Sequence, residues 1–140
     1  MAKDYRATYR KAAKAYLADT GGELVPEGAG DPGPSQWSDV WLLQAIKTAQ
    51  GGKPATTLED IYGAGDAINH AIFTDAELMG GFARLAGAGY IAAHGATCAL
   101  TAKFLDAWQA VGGGRRRSLS KQQEGLQKIL EAPSWDQSAG

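Results

Sequence analysis

Asp66 and His70 stand four residues apart in a stretch of helical periodicity, so one helical turn brings a carboxylate beside an imidazole. An aspartate that orients a histidine is half of a nucleophilic catalytic arrangement. No nucleophile is tied to the pair by spacing, so it reads as a structural hydrogen bond or surface pair, and no catalytic residue is assigned. His70, His94 and Cys98 are the soft or borderline metal ligands of the chain. His94 and Cys98 flank a turn and can approach one another, but three scattered ligands do not make the closely spaced set that a zinc site needs, and no metal is expected. Gly63-Ala-Gly65 lacks the third glycine of a dinucleotide fingerprint and follows no good strand, and Gly112-Gly-Gly-Arg115 lacks the lysine-serine/threonine end of a phosphate loop. No cofactor is expected. The remaining chemistry is electrostatic. Arg115-Arg116-Arg117 is the densest basic run, and guanidinium groups suit phosphate oxygens, although a solvated charge cluster is the simpler reading.

The charge that such a run joins is unevenly placed. The net charge is -1 over 140 residues. Residues 1–20 carry +3, residues 21–36 carry -3, residues 37–111 carry -3 and the rest carries +2, so both ends are basic and the middle acidic. The apolar fraction of 44% and the charged fraction of 21% belong to an ordinary globular chain of about one domain. No apolar run reaches the roughly 18–20 residues of a membrane span. Met1 to Lys14 is charged and carries no signal-peptide hydrophobic stretch. A lone cysteine, Cys98, cannot form an intramolecular disulfide. These features point to a cytoplasmic protein without a membrane partner.

The elements that must position these residues are mostly helices. Residues 2–19 read as a helix with Tyr5, Tyr9, Ala12 and Tyr16 in one stripe and Arg6, Arg10 and Lys14 opposite. Residues 21–36 are rich in glycine and proline and read as a linker without regular structure. A second helix runs over 38–49 with Ser38 as N-cap and Trp37, Val40, Leu43 and Ile46 as its stripe. Thr57-x-x-Asp60 opens a third, from Leu58 to Ile72, where Gly63 and Gly65 imply close packing or a kink. Thr74-x-x-Glu77 is a standard capping box opening a fourth helix, with Leu78, Phe82 and Leu85 buried. That leaves Asp75, Ala76, Glu77, Gly80, Gly81, Arg84 and Ala88 exposed. Tyr90–Ala93 and Thr97–Leu100 read as two weak strands around a turn at His94-Gly95. Thr101 caps a helix over 102–111, and Ser120-x-x-Gln123 caps a last one carrying Leu119, Leu126, Ile129 and Leu130.

The segment Phe73-Thr-Asp-Ala-Glu-Leu-Met-Gly-Gly-Phe-Ala-Arg-Leu-Ala-Gly-Ala-Gly-Tyr-Ile91 resembles the pattern of bacterial winged-helix regulators, MarR- and PadR-like in general outline. It shows a capped helix, an Arg-Leu pair and a glycine-aromatic exit into a strand. Cys98-Ala-Leu100-Thr101-Ala-Lys103 is similar to the return strand of their wings. The resemblance covers roughly half the chain. It implies a mainly α fold, a winged helix-turn-helix with a three-helix core and a short β-hairpin wing over 37–111, to which the residue pattern adds a basic amphipathic helix at 1–20 and a Gly/Arg-rich hinge with a C-terminal helix at 112–140. It also implies that Thr74–Gly87 is the recognition helix and His94-Gly95-Ala96 the wing tip.

Two functions follow as expectations. The first is a dimeric DNA-binding protein of transcription regulation or a related DNA process. There Arg84 contacts double-stranded DNA, while Arg115, Arg116, Arg117 and the basic face of Arg6, Arg10 and Lys14 hold its backbone. Asp75 and Glu77 oppose that docking, because phosphates must be neutralised. The second is a winged-helix protein–protein interaction module that binds no DNA. Its partner meets Gly80 and Gly81, or the terminal helix through Leu126, Ile129 and Leu130, which also offers a homodimer surface.

Overall fold

From Trp37 to Ile46 every residue except Ser38 is buried. A helix apolar on all sides must be enclosed by others, and here it is the central element. The computed structural model describes residues 5–28, 33–113 and 118–133. In chain order the elements are α1 (Tyr5–Asp19), α2 (Trp37–Gln50), β1 (Thr56–Thr57), α3 (Leu58–Asn69), α4 (Asp75–Gly87), β2 (Ile91–His94), β3 (Thr97–Leu100), α5 (Ala102–Ala110) and α6 (Leu119–Leu130). The fold is mainly α with one small antiparallel sheet, strand order β1-β3-β2. β3 lies in the middle: Thr56 pairs with Cys98, and Ile91 with Leu100. The hairpin therefore stands where the sequence places it, with β2 shifted one residue and its tip at Gly95-Ala96.

Helices α3, α4 and α6 pack on α2, and α1 packs on α3. One continuous core results, running from Ala13 and Tyr16 through Phe82 and Phe104 to Leu126 and Ala132. The described residues between α1 and α2 form no helix or strand, yet Leu24 among them is fully buried. Its carbonyl accepts from the Tyr16 hydroxyl at 2.7 Å, and its N–H donates to Gly95 O at the hairpin tip at 2.8 Å.

The local signals for helix starts largely coincide with the observed ends. The Glu77 N–H donates to Thr74 Oγ1 at 3.1 Å and the Thr74 N–H to Glu77 Oε1 at 2.9 Å, the reciprocal capping box. Thr57 and Thr101 accept from the N–H groups of Asp60 and Phe104. Two caps differ from expectation. α2 starts at Trp37, not after Ser38, because the Asp39 carboxylate takes the Gln36 N–H at 3.0 Å and caps the helix from inside. α6 starts at Leu119 with Ser118 as its cap, accepting from the Lys121 N–H at 3.3 Å, so Leu119 is half exposed and adds nothing to the core.

Gly65 shows why glycine is needed inside α3. A Cβ there would overlap the Phe73 ring. Phe73 stacks on Trp41 with ring centroids 3.8 Å apart, and Trp41 Nε1 donates to Gly65 O at 2.9 Å. The turn between α3 and α4 is thus locked onto α2. Gly65→Ala is expected to destabilise the protein by about 1–3 kcal/mol through overpacking. Gly87→Ala, where a new methyl meets nothing within 4 Å, is expected to be neutral or stabilising. Urea denaturation of the two variants checks the contrast.

Candidate functional site

α4 holds the residues of greatest functional interest, and its inner side is ordinary core. Leu78, Phe82 and Leu85 are buried and fix the helix against α2 and β2. Arg84 is the one cation of the helix sequence. Its side chain does not reach outward. Nε donates to Asp39 Oδ2 at 2.6 Å and Nη2 to Asp39 Oδ1 at 3.0 Å, a two-point fork on a carboxylate that is 1% exposed. The Arg84 side chain itself is 13% exposed. The expectation that Arg84 stands on the open face is corrected: a buried carboxylate needs a cation partner, and Arg84 supplies it.

The glycine pair before it serves the same contact. A Cβ at Gly81 would lie 2.6 Å from Leu42 Cδ2 and 3.2 Å from Asp39 Oδ1, and one at Gly80 would lie 2.9 Å from an Arg84 guanidinium nitrogen. Gly81, expected to be exposed for a partner, is buried against α2, and Gly80 is half-covered by the arginine. The alternative surface at the C-terminal helix is also spent within the chain. Leu126 and Leu130 are buried, Ile129 packs beside them, and the fully buried Gln44 of α2 donates to Leu119 O and accepts from Gln123 Nε2 at 3.0 Å. Leu126 and Leu130 are therefore turned inward onto α2, and Leu119 is the large apolar side chain that α6 leaves exposed.

What α4 leaves exposed is Asp75, Ala76, Met79 and Gly87, continued by Ile72 in the preceding turn. This surface is apolar with an acidic border. At the hairpin tip, His94 is exposed, Gly95 is tied to Leu24, and no arginine or lysine is present. Cys98 points into the core while His94 points out, so the two sulfur and imidazole groups face opposite ways.

The basic side chains of α1 lie elsewhere. Arg6 and Arg10 line a cleft whose other wall carries Glu59 and Asp60 of α3. Arg10 Nε is 3.9 Å from Glu59 Oε1 in a solvent-exposed pair, and Lys14 is exposed. Arg115, Arg116 and Arg117 fall outside the described residues. Arg84 and the α1 cations are thus not gathered into one positive surface. Asp66, expected beside His70, turns instead to α1, where its Oδ2 accepts from the Tyr9 hydroxyl at 2.6 Å. His70 closes α3 as a left-handed cap, φ 53°, with its backbone N–H on Asp66 O.

Beside the α4 surface, the start of α2, the end of α3 and Glu77 enclose a cleft of about 370 Å³. Trp37, Trp41 and Ile72 form its apolar side, and Gln36, Asn69 and Glu77 its polar side. Sequence patterning offers no sign of it, since Trp37 reads as part of a core stripe and Trp41 as its flank.

No protein-family model, curated protein or solved structure matches the chain. The geometry therefore carries the functional argument. Among the described residues no helix is long and apolar enough to cross a membrane, and no three potential metal ligands cluster.

Several ionisable groups are held neutral by the fold. The Asp66 hydrogen bond raises the Tyr9 phenol from 10.0 to about 12. Burial raises Tyr16 and Tyr62 from 10.0 to about 12 and the Cys98 thiol from 9.0 to about 12. Each group keeps its proton more tightly folded than unfolded. Their contribution to stability is full below pH 9.0 and is lost as pH rises from there through about 12. Far-UV circular dichroism, followed through an alkaline titration, is expected to show loss of helix beginning above pH 10.

The ion pair makes a sharper prediction. Arg84→Ala leaves Asp39 buried without its cation and is expected to cost about 3–5 kcal/mol, whereas the double variant Asp39→Leu/Arg84→Met is expected to recover most of it. Chemical denaturation of the single and double variants measures the coupling.

Proposed function

We propose that the chain is a winged-helix module that acts by binding a protein, with the exposed side of α4 and Ile72 as the contact surface. The winged-helix assignment draws support from the order α2, β1, α3, α4, β2, β3, and from β1 lying against β3 at the base of the hairpin. In a DNA-binding winged helix the element at the α4 position lies in the major groove and must present groups that read bases or neutralise phosphates.

The observation that carries the protein-binding reading is the capture of Arg84 by Asp39. With that guanidinium committed, the exposed part of α4 offers duplex DNA a carboxylate at Asp75 and apolar side chains at Ala76 and Met79. Phosphates are repelled by the first and gain nothing from the others. A protein segment gains from both. Ile72 and Met79 supply an apolar centre, and the acidic border selects a partner segment that is apolar with basic flanks.

The DNA-binding reading, with a role in transcription regulation, rests on Arg6, Arg10, Lys14 and Arg115–Arg117 holding a phosphate backbone without help from α4. Fluorescence anisotropy of the full chain against mixed-sequence duplex at low salt separates the two. No saturable binding is expected. In parallel, Met79→Glu is expected to abolish recovery of a co-purifying protein that Arg10→Ala retains. Duplex binding that falls steeply with salt and is unaffected by Met79→Glu overturns the proposal in favour of DNA.

A further inference from the structure

We infer that the cleft between the start of α2, the end of α3 and the start of α4 is a binding site for a small organic amine, an aromatic or aliphatic body carrying one cationic head. This inference does not rest on the protein-binding reading of α4. At about 370 Å³ the cleft lies within the size range of small-molecule sites, and it has their usual make-up of an apolar wall with a few convergent polar groups.

The walls are set before any ligand arrives. Trp41 is held by its Nε1–H to Gly65 O, 2.9 Å, and by its stack on Phe73. Trp37 is buried at the first turn of α2, and Ile72 stands 40% exposed at the mouth. The exposed edges of two indoles and a branched aliphatic side chain suit a compact apolar body. Such a surface costs little to rearrange on binding, because its side chains are already ordered.

Charge selects the head group. Among the described residues Glu77 is the one charged residue lining the cleft, and no lysine, arginine or histidine of theirs lines it. The nearest cation of α4, Arg84, is turned away onto Asp39. Glu77 Oε1 is held by the Thr74 N–H, which fixes the carboxylate and leaves Oε2 to a ligand. The starts of α2 and α4 also border the cleft, and their partial positive charge would favour an anion. Each already carries its own carboxylate, Asp39 on the Gln36 N–H and Glu77 on the Thr74 N–H. The end of α3 at Asn69 adds partial negative charge. A ligand carboxylate or phosphate would meet Glu77 with no cationic side chain of the described lining residues to offset the repulsion. An ammonium group gains a charge-assisted hydrogen bond there.

The test uses the full chain and two probes of similar shape and opposite charge, phenethylamine and 3-phenylpropionate, with 3-phenylpropanol as the neutral third. Binding is followed by amide chemical shifts and calorimetry. Phenethylamine is expected to perturb the amides of Trp37, Asn69, Ile72 and Glu77, and to bind at least tenfold more tightly than the other two. Glu77→Gln keeps the capping box, which glutamine also completes, so it is expected to fold normally and lose the tenfold preference. Ile72→Arg, at an exposed position, is expected to abolish amine binding by placing a cation at the mouth. Equal affinity for all three probes, or a preference unchanged in Glu77→Gln, overturns the assignment of an amine. Shifts confined to residues outside the cleft overturn the site itself.

Discussion

The contact between Asp39 and Arg84 sets how the central helix meets α4, and much else is arranged around it. A carboxylate almost wholly removed from water is costly unless it is paired and hydrogen-bonded. Asp39 meets that condition three times over, with two donors from Arg84 and one from the Gln36 backbone. The same side chain therefore caps α2 and clamps α4. Replacing such a pair by apolar groups need not weaken a fold, so its contribution lies in geometry as much as in energy. It fixes the rotation of α4 about its own axis, and the two adjacent glycines let the backbones close to the distance that the fork requires.

Similar polar keys recur at each contact with α2. Trp41 reaches across to the Gly65 carbonyl of α3, and the missing side chain there makes room for the Phe73 ring stacked on Trp41. Gln44, fully buried, takes partners from α6 on either side of its amide. Between these points the core is apolar and permissive. Apolar packing alone tolerates many helix registers, whereas a buried donor or acceptor left unmatched is penalised. α2 thus carries three registry points, one for each helix laid against it.

These commitments shape the outer surface by subtraction. The guanidinium that would have made α4 attractive to a nucleic acid is used internally, and the carboxylates of the first turn of α4, Asp75 and Glu77, remain near the surface. The result is an apolar and acidic face beside a cleft walled by indoles. The cations of α1 stand apart from this face, and Glu59 and Asp60 oppose Arg6 and Arg10 there. A surface of that kind favours partners and ligands that bring positive charge with an apolar body.

Local signals in the chain determined a good part of this architecture. The capping residues Thr57, Thr74 and Thr101, the stripe Leu78, Phe82 and Leu85, and the glycine-marked hairpin were all readable, because caps and periodicity act over three or four residues. The pairing of Asp39 with Arg84, 45 residues apart, was not, nor was that of Tyr9 with Asp66, 57 residues apart. Periodicity shows which face of a helix is apolar, but says nothing about which distant polar group will meet it. For that reason Arg84 read as a surface cation and Gly80-Gly81 as an open patch, when both serve a buried contact. Likewise the C-terminal helix displayed an apolar face whose cover only the folded chain could name, and that cover is α2. Tertiary packing decided which charges remained on the outside, and with them the kind of partner that the surface can hold.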